Sequence, residues 1–358
     1  MEKMSKITAS LSLCVMLVSL VVFAGCSSNA GNSTTESSEQ GKGADVENGQ
    51  AADKLVLRMG GTQTPSHPAT AAAKDFAQMV NDTSNGQIEA KVMFGGVLGG
   101  EREITEAVQL GNVEMGWLSD VGMATVVPEI GFAYLPYLNT SYEQVENNYY
   151  NGWIGEEVKK RLAAKGIQLL AFMDNDFRWV TNSVHPVLKP ADIKGMSIRV
   201  PEIPELIQFF DELGAMPTTM AVTEVVTALQ QGAVDGQDNG AILNYTYGFY
   251  EFQPYMTITN HVFSGGGVVI NKELWDGLSP ERQKIILEAA TEIVPEGNQI
   301  SRANVSKYTQ AMIDAGTQID EPTPELVAAM EEAGRKVWEN PDNVERYGKE
   351  VMDKILNR

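Results

Sequence analysis

KLVLRMGGTQTPSHPATAAAKDFAQMVNDTSNGQIEAKVMFGGVLGGEREITEAVQLGNVEMGWL, residues 54–118, decides the fold class. Lys54–Gly60 is a short β-type run closed by glycine. Ala71, Ala72, Phe76, Met79 and Val80 then fall at helical spacing and predict a helix over 68–82. Gln87–Met93 alternates as a strand. Glu101–Leu110 puts Ile104, Ala107 and Val108 on one helical face, and Asn112–Leu118 reads as a third strand. This β-α-β-α-β order predicts an α/β domain with a largely parallel sheet.

Outward from that segment, a helical region rich in aromatics covers Ser141–Lys165, followed by a strand over Ile167–Met173. A second unit starts near Phe177. Phe177–Thr181 and Met196–Val200 are strand-like, Glu202–Leu213 and Thr223–Gln231 helical, and Val234–Gly236 a short strand end. Val262–Ile270 is a strand pattern interrupted by Gly265-Gly266-Gly267, and the remainder reads as helix. Ser279-Pro280-Glu281 and Thr323-Pro324-Glu325 are matching helix starts, each with a hydroxyl cap, a proline and an acidic first turn. At about 150 residues per domain, 358 residues leave room for two.

On the N-terminal side, Lys3 and Lys6 precede an uncharged apolar run, Ile7–Ala24, and then Gly25-Cys26. A basic segment, an apolar core and small residues before a cut site make a secretory signal. Phe23-Ala24-Gly25-Cys26 resembles a bacterial lipoprotein box, with Phe23 where leucine is usual; it makes Cys26 the lipidated first residue. An uncleaved membrane anchor is the other reading of the same run. Ser27–Asp53 holds Ser, Thr, Gly, Asn and Glu with Val46 as its only large apolar side chain, the composition of a flexible tether.

Composition narrows the function. Lys+Arg 27 against Asp+Glu 47 gives a net charge of −20, which opposes binding to nucleic acid or to anionic lipid through a basic patch. An anion would have to be held by one or two placed arginines inside a cleft. Both cysteines, Cys14 and Cys26, lie in the export segment, leaving none for a disulfide, a zinc cluster or a thiol nucleophile. His67, His185 and His261 form no pair at metal-ligand spacing, and no cofactor or metal is expected. Gly95-Gly96-Val97-Leu98-Gly99-Gly100 lacks the lysine and hydroxyl of a phosphate loop and reads as a glycine-rich turn. Asp235–Gly240 half-matches a calcium loop, but its twelfth position is Thr246 instead of glutamate. The serine-nucleophile signature GxSxG is absent.

Two arginines stand apart. Arg199 lies in Ser197-Ile198-Arg199-Val200-Pro201, where alternation sets it opposite Ile198 and Val200; Arg178 sits similarly in Phe177-Arg178-Trp179-Val180. Each is either an ordinary exposed charge or a guanidinium fork for a carboxylate, a grip that lysine cannot copy.

Ala191-Asp-Ile-Lys-Gly-Met-Ser-Ile-Arg-Val-Pro201 resembles the segment of TRAP-transporter substrate-binding proteins that carries their carboxylate-binding arginine. Thr223–Asn239 is similar to the next block of that family at the expected spacing. His67-Pro68, Leu98–Glu101, Pro128-Glu129, Leu135–Tyr137, Phe249–Glu251 and Thr259–His261 match weaker marks, so the resemblance spans about residues 54–320. It implies two α/β lobes of periplasmic-binding-protein type on a hinge crossed more than once. The expected division is signal 1–25, lipidated Cys26 and tether 26–53, first lobe 54–175 and second lobe 176–262. Residues 263–304 return to the first lobe with a long connecting helix, and 305–358 form C-terminal helices on the second lobe. Arg199 would pair with the ligand carboxylate, Asn239 would supply a polar contact from the other side of the cleft, and Arg178 would be a second arginine near the ligand. Val222 stands where many members place an aromatic ring. Gln237, Ser119, Asp120 and Gln63 complete the expected ligand-binding set.

The resemblance implies an extracytoplasmic receptor, a monomer and not an enzyme, that hands an organic acid to a sodium-coupled permease of one small and one large subunit. An ABC-type receptor, a secreted hydrolase and a surface scaffold without ligand are the alternatives. A dicarboxylate, a sugar acid and a monocarboxylate all remain open as ligands.

Overall fold

The computed structural model describes residues 54–357. The expected signal, Cys26 and tether fall outside them. Eleven strands form two sheets. β1 (Leu55–Gly60), β2 (Ile88–Met93), β3 (Met115–Ser119), β4 (Ile167–Phe177) and β10 (Phe263–Asn271) make the first sheet, in the order β2-β1-β3-β10-β4. β5 (Trp179–Asn182), β6 (Ser197–Val200), β7 (Met216–Thr219), β8 (Gly236–Asn239), β9 (Tyr255–Thr257) and β11 (Gln318–Asp320) make the second, ordered β11-β9-β5-β8-β6-β7. β1 pairs parallel with β2 and β3, as the β-α-β-α-β reading requires, and β10 enters antiparallel between β3 and β4.

The chain leaves the first sheet at Phe177 and enters the second at Trp179, so the single residue Arg178 carries the crossing. It returns through 258–262, where the Arg178 N–H donates to Val262 O at 2.8 Å and stitches the two crossings together. The helix Pro280–Asp314 packs on the first sheet, and Asn298 is pinned to β4: its Oδ1 accepts from Asp174 N at 2.8 Å and its Nδ2 donates to Phe172 O. Helices Pro68–Thr83 and Pro280–Asp314 cover one face of the first sheet around Leu57, Phe76, Trp117 and Ile286.

β10 runs unbroken through Gly265-Gly266-Gly267, but its register with β4 shifts at Ser264/Gly265 and at Val268/Val269. A Cβ on Gly266 would lie 2.2 Å from Leu118 O and one on Gly267 would lie 2.1 Å from Leu169 Cδ1, so the glycines let the strands approach. Nor is the remainder all helix, since β11 pairs with β9. The strand end read at 234–236 is a strand over 236–239, hidden because its side chains are polar yet buried. The C-terminal helices rest on more than the second lobe. Tyr347 packs edge-on to Phe132, and Trp338 Nε1 donates to Pro136 O, both from the first segment, while Lys336 reaches Glu212. Among the described residues no helix is long and apolar enough to cross a membrane.

Candidate functional site

Between the two sheets lies a polar cavity with about 430 Å³ of non-atom space, part of it open to solvent. Arg178, Arg199, Asn239, Val222, Ser119 and Gln63 all line it, joined by His67, Glu101, Asn175, Tyr247 and Ser264. Six of the eight expected ligand-binding residues therefore meet here. Asp120 and Gln237 do not; their side chains hold the walls from behind.

Arg199 sits at the centre of β6 between β7 and β8, and alternation did not expose it: the residue is 2% exposed. Its Nε and Nη2 both donate to Met220 O, at 3.0 and 2.6 Å, and among the described residues no carboxylate lies within ion-pairing distance. Burial, reinforced by the neighbouring Arg178, pushes its pKa down to about 10. A guanidinium buried against a single carbonyl carries a desolvation cost of several kcal/mol that an incoming anion would offset.

Arg178 is the contrast. Its Nε and Nη2 form a fork on the Asp238 carboxylate at 2.7 and 2.8 Å, and Nη2 also reaches Asp238 O. The guanidinium lies 5.9 Å from the centroid of the Tyr134 ring. Burial acts to raise the Asp238 carboxyl, but Arg178 outweighs it and the group ends below the ordinary carboxylate range. His261 Nε2, 3.3 Å from Asp238, closes the cluster; burial keeps that imidazole neutral by lowering its pKa.

Asn239 is held by an amide chain. Its Nδ2 donates to Gln237 Oε1 at 2.6 Å, Gln237 Nε2 donates to Thr181 Oγ1 and Asn244 Oδ1, and Asn244 Nδ2 returns to Asn239 O. Gln237 thus fixes the orientation of Asn239 instead of reaching the cavity. Asp120 accepts from Val121 N and from Gly265 N at 2.9 and 3.0 Å, fastening the end of β3 to β10; burial raises its pKa to about 7.

The first lobe supplies residues that strand alternation could not single out. Gly95, Gly96 and Gly99 take positive φ, building the glycine-rich turn that delivers Glu101 at the start of helix Glu101–Gln109. Glu101 accepts from Ser119 N and Ser119 Oγ at 2.9 and 2.5 Å, and burial raises its pKa despite both arginines. His67 caps helix Pro68–Thr83 by accepting Ala69 N on Nδ1 at 3.1 Å. Tyr247 from the second lobe donates to Thr62 O of the first at 2.8 Å, so the walls touch across the cavity. Among the described residues no cluster of three or more His, Cys, Asp or Glu could hold a metal ion. Asp238, inside the half-matched calcium loop, is committed to Arg178 on a strand.

Two α/β lobes joined by a double crossing, with a polar cavity between them, have the architecture of a two-lobed solute receptor. The family described as bacterial extracellular solute-binding protein, family 7, matches residues 59–343, and the chain belongs to it. The C4-dicarboxylate-binding periplasmic protein DctP of Rhodobacter capsulatus is 32% identical, over 84% of this chain and 90% of that protein. The sugar acid binding protein DctPAm of Advenella mimigardefordensis, solved with galactonate, superposes with a TM-score of 0.80 at 29% identity, covering 85% of this chain and 97% of its own. A TRAP periplasmic solute binding protein from Sulfurospirillum deleyianum, solved with succinate, gives 0.79 at 25% identity over 85% and 98% of the two chains. These relatives are binding proteins and not enzymes.

Proposed function

We propose that this chain is an extracytoplasmic receptor that captures an organic acid in the inter-lobe cavity and delivers it to a sodium-coupled TRAP permease made of a small and a large membrane subunit. The carrying observation is Arg199: a buried guanidinium facing a cavity, with its Nε and Nη2 on Met220 O alone and no carboxylate within ion-pairing distance among the described residues. A carboxylate there makes the bidentate pair that Met220 O cannot. Asn239, fixed by Gln237, adds a contact from β8, while Val222 and Tyr247 shape the walls. The names of the relatives and the ligands in their structures support an acid as the cargo, a C4-dicarboxylate or a sugar acid.

In the same reading Cys26 carries lipid, residues 27–53 act as a tether, and the receptor works as a monomer on the outer side of the cell membrane. The residue pattern before Cys26 supports this. A Cys26→Ala protein should leave the membrane fraction or accumulate as precursor; a membrane-bound mature form would contradict the anchor.

Ligand that binds only the folded protein stabilises it by mass action, about 2.7 kcal/mol at 100-fold excess over Kd. A thermal-shift screen across an organic-acid library should therefore move Tm by several degrees for at least one acid. A library that leaves the curve unmoved contradicts the receptor reading.

A further inference from the structure

Both crossings between the lobes are tied to one carboxylate. Asp238 on β8 receives Arg178 from the first crossing and His261 from the second. Arg178 spends its Nε–H on Asp238 Oδ2 and its Nη2 protons on Asp238 Oδ1 and O. Its Nη1 makes no hydrogen bond among the described residues, and the side chain lines the cavity. Asp238 therefore meets the charge of Arg178 and leaves the Nη1 protons for a ligand oxygen.

His261 is buried behind that pair and does not line the cavity. Its Nε2 lies 3.3 Å from a carboxylate that Arg178 keeps ionised, so Nε2 carries the proton and donates. Nδ1 is then the acceptor, and Thr259 Oγ1 donates to it at 2.8 Å. The ring is stacked on Phe209, with centroids 5.3 Å apart and planes 8° apart, and stands edge-on to Phe210. Helix Pro204–Glu212 thus fixes its plane. The backbone is bent around the same side chain. Asn260, just before it, has φ +44°, and Tyr137, whose N–H donates to His261 O at 2.7 Å, has φ +58°. Left-handed backbone at non-glycine residues is uncommon and strained, and here it brackets one imidazole.

Arg178 is the single residue between β4 and β5, so its side chain belongs to whichever lobe it is bonded to. Asp238 assigns it to the second sheet, which carries Arg199 on β6 and, one residue along β8, Asn239. His261 holds the same Oδ2 that takes Arg178 Nε.

Resting on the receptor reading above, we propose that His261 is a positioning residue for acid capture: as the Nε2–H tautomer it fixes Asp238, and through Asp238 it keeps Arg178 Nη1 available to the ligand in register with Arg199 and Asn239.

Nitrogen-15 NMR of the wild-type protein should show His261 as a neutral ring protonated on Nε2; an Nδ1–H tautomer or a charged ring overturns the proposal without touching the receptor reading. Calorimetric titration uses galactonate, with succinate as the second probe. His261→Phe keeps the ring on Phe209 and loses both polar bonds, and should weaken the acid about tenfold. His261→Gln carries an N–H at the reach of Nε2 and should recover the affinity to within about threefold of wild type. In an Arg178→Lys background His261→Phe should change the affinity less than about twofold, because its effect runs through the guanidinium. If the phenylalanine variant does not fold, His261→Asn, which is too short to reach Asp238, replaces it with the same expected loss. A folded variant with wild-type affinity, a glutamine that rescues nothing, or an equal loss in both backgrounds gives His261 a structural role only and overturns the proposal, while Arg199-dependent binding stands. Where neither probe binds, the library acid with the largest Tm shift replaces them. If no acid binds the wild-type protein, the receptor reading fails and takes this one with it.

Discussion

Arg178 and Arg199 are two buried arginines lining the same cavity, one at the crossing between the sheets and one in the middle of the second sheet. Arg178 faces a carboxylate and a ring, and its pKa rises because Asp238 outweighs burial. Arg199 faces one carbonyl, and its pKa falls because burial is not offset. Identical side chains at near-identical burial thus divide into one that is paired at the hinge and one that, in the proposed receptor, would take the anion. Placement of a single carboxylate, Asp238 on β8, makes the difference.

The most forceful way to break that contrast is to remove each charge in turn. Arg178→Met should cost about 3–5 kcal/mol of folding stability in denaturant titration, because Asp238 is left buried and unpaired. An unchanged midpoint would show that the hinge does not depend on the pair. Arg199→Lys should cost about 2–4 kcal/mol in acid binding, keeping the charge but losing the planar fork. Lysine binding within about twofold of wild type would remove Arg199 from the site.

A smaller effect is written in the carboxyls around the hinge. Asp120 and Asp176 are raised to about 7 by burial, whereas Asp238 is lowered by Arg178. The raised pair bind protons more readily folded than unfolded, so between about pH 4 and 7 they make stability fall as pH rises. Asp238 does the opposite: its contribution is present above the unfolded carboxylate pKa and is lost on acidification below it. Asp120→Asn should flatten the decline between pH 4 and 7, read from unfolding midpoints across that range; a slope equal to wild type contradicts the assignment. The smallest expected change is that of Tyr247→Phe. It deletes one bond across the cavity, worth about 0.5–1.5 kcal/mol, and should weaken acid binding less than tenfold. No change, or a loss beyond a hundredfold, would show that the contact is respectively idle or part of the ligand grip.

The two sides of the cavity were not equally legible in the amino-acid sequence. Arg199 and Arg178 stand out as charges inside short apolar strands, but alternation left each open between an exposed charge and a carboxylate fork; the family resemblance decided, and it also supplied Asn239. The β-α-β-α-β order needed only hydrophobic spacing. Strand Gly236–Asn239 was clipped because its buried residues are polar and mimic a loop, and β7 and β11 were missed as short, largely exposed strands without alternation. Asp120 and Gln237 carry suitable chemistry on neighbours of lining residues, yet their hydrogen bonds turn them into the walls. Glu101 and His67 were visible only within the weaker marks Leu98–Glu101 and His67-Pro68, with Glu101 also opening a helix. Their chemistry is tertiary: Glu101 matters because Ser119 and two arginines converge on it, His67 because its second nitrogen is left buried and unmet.

The most direct test measures two properties of one variant. Arg199→Met should lose acid binding in calorimetric titration while the ligand-free protein unfolds at the same or a higher denaturant concentration than wild type, since a buried charge without a counter-ion has been replaced by an apolar chain of similar length. Retained binding, or a ligand-free protein destabilised as strongly as Arg178→Met, would contradict the division of labour between the two arginines.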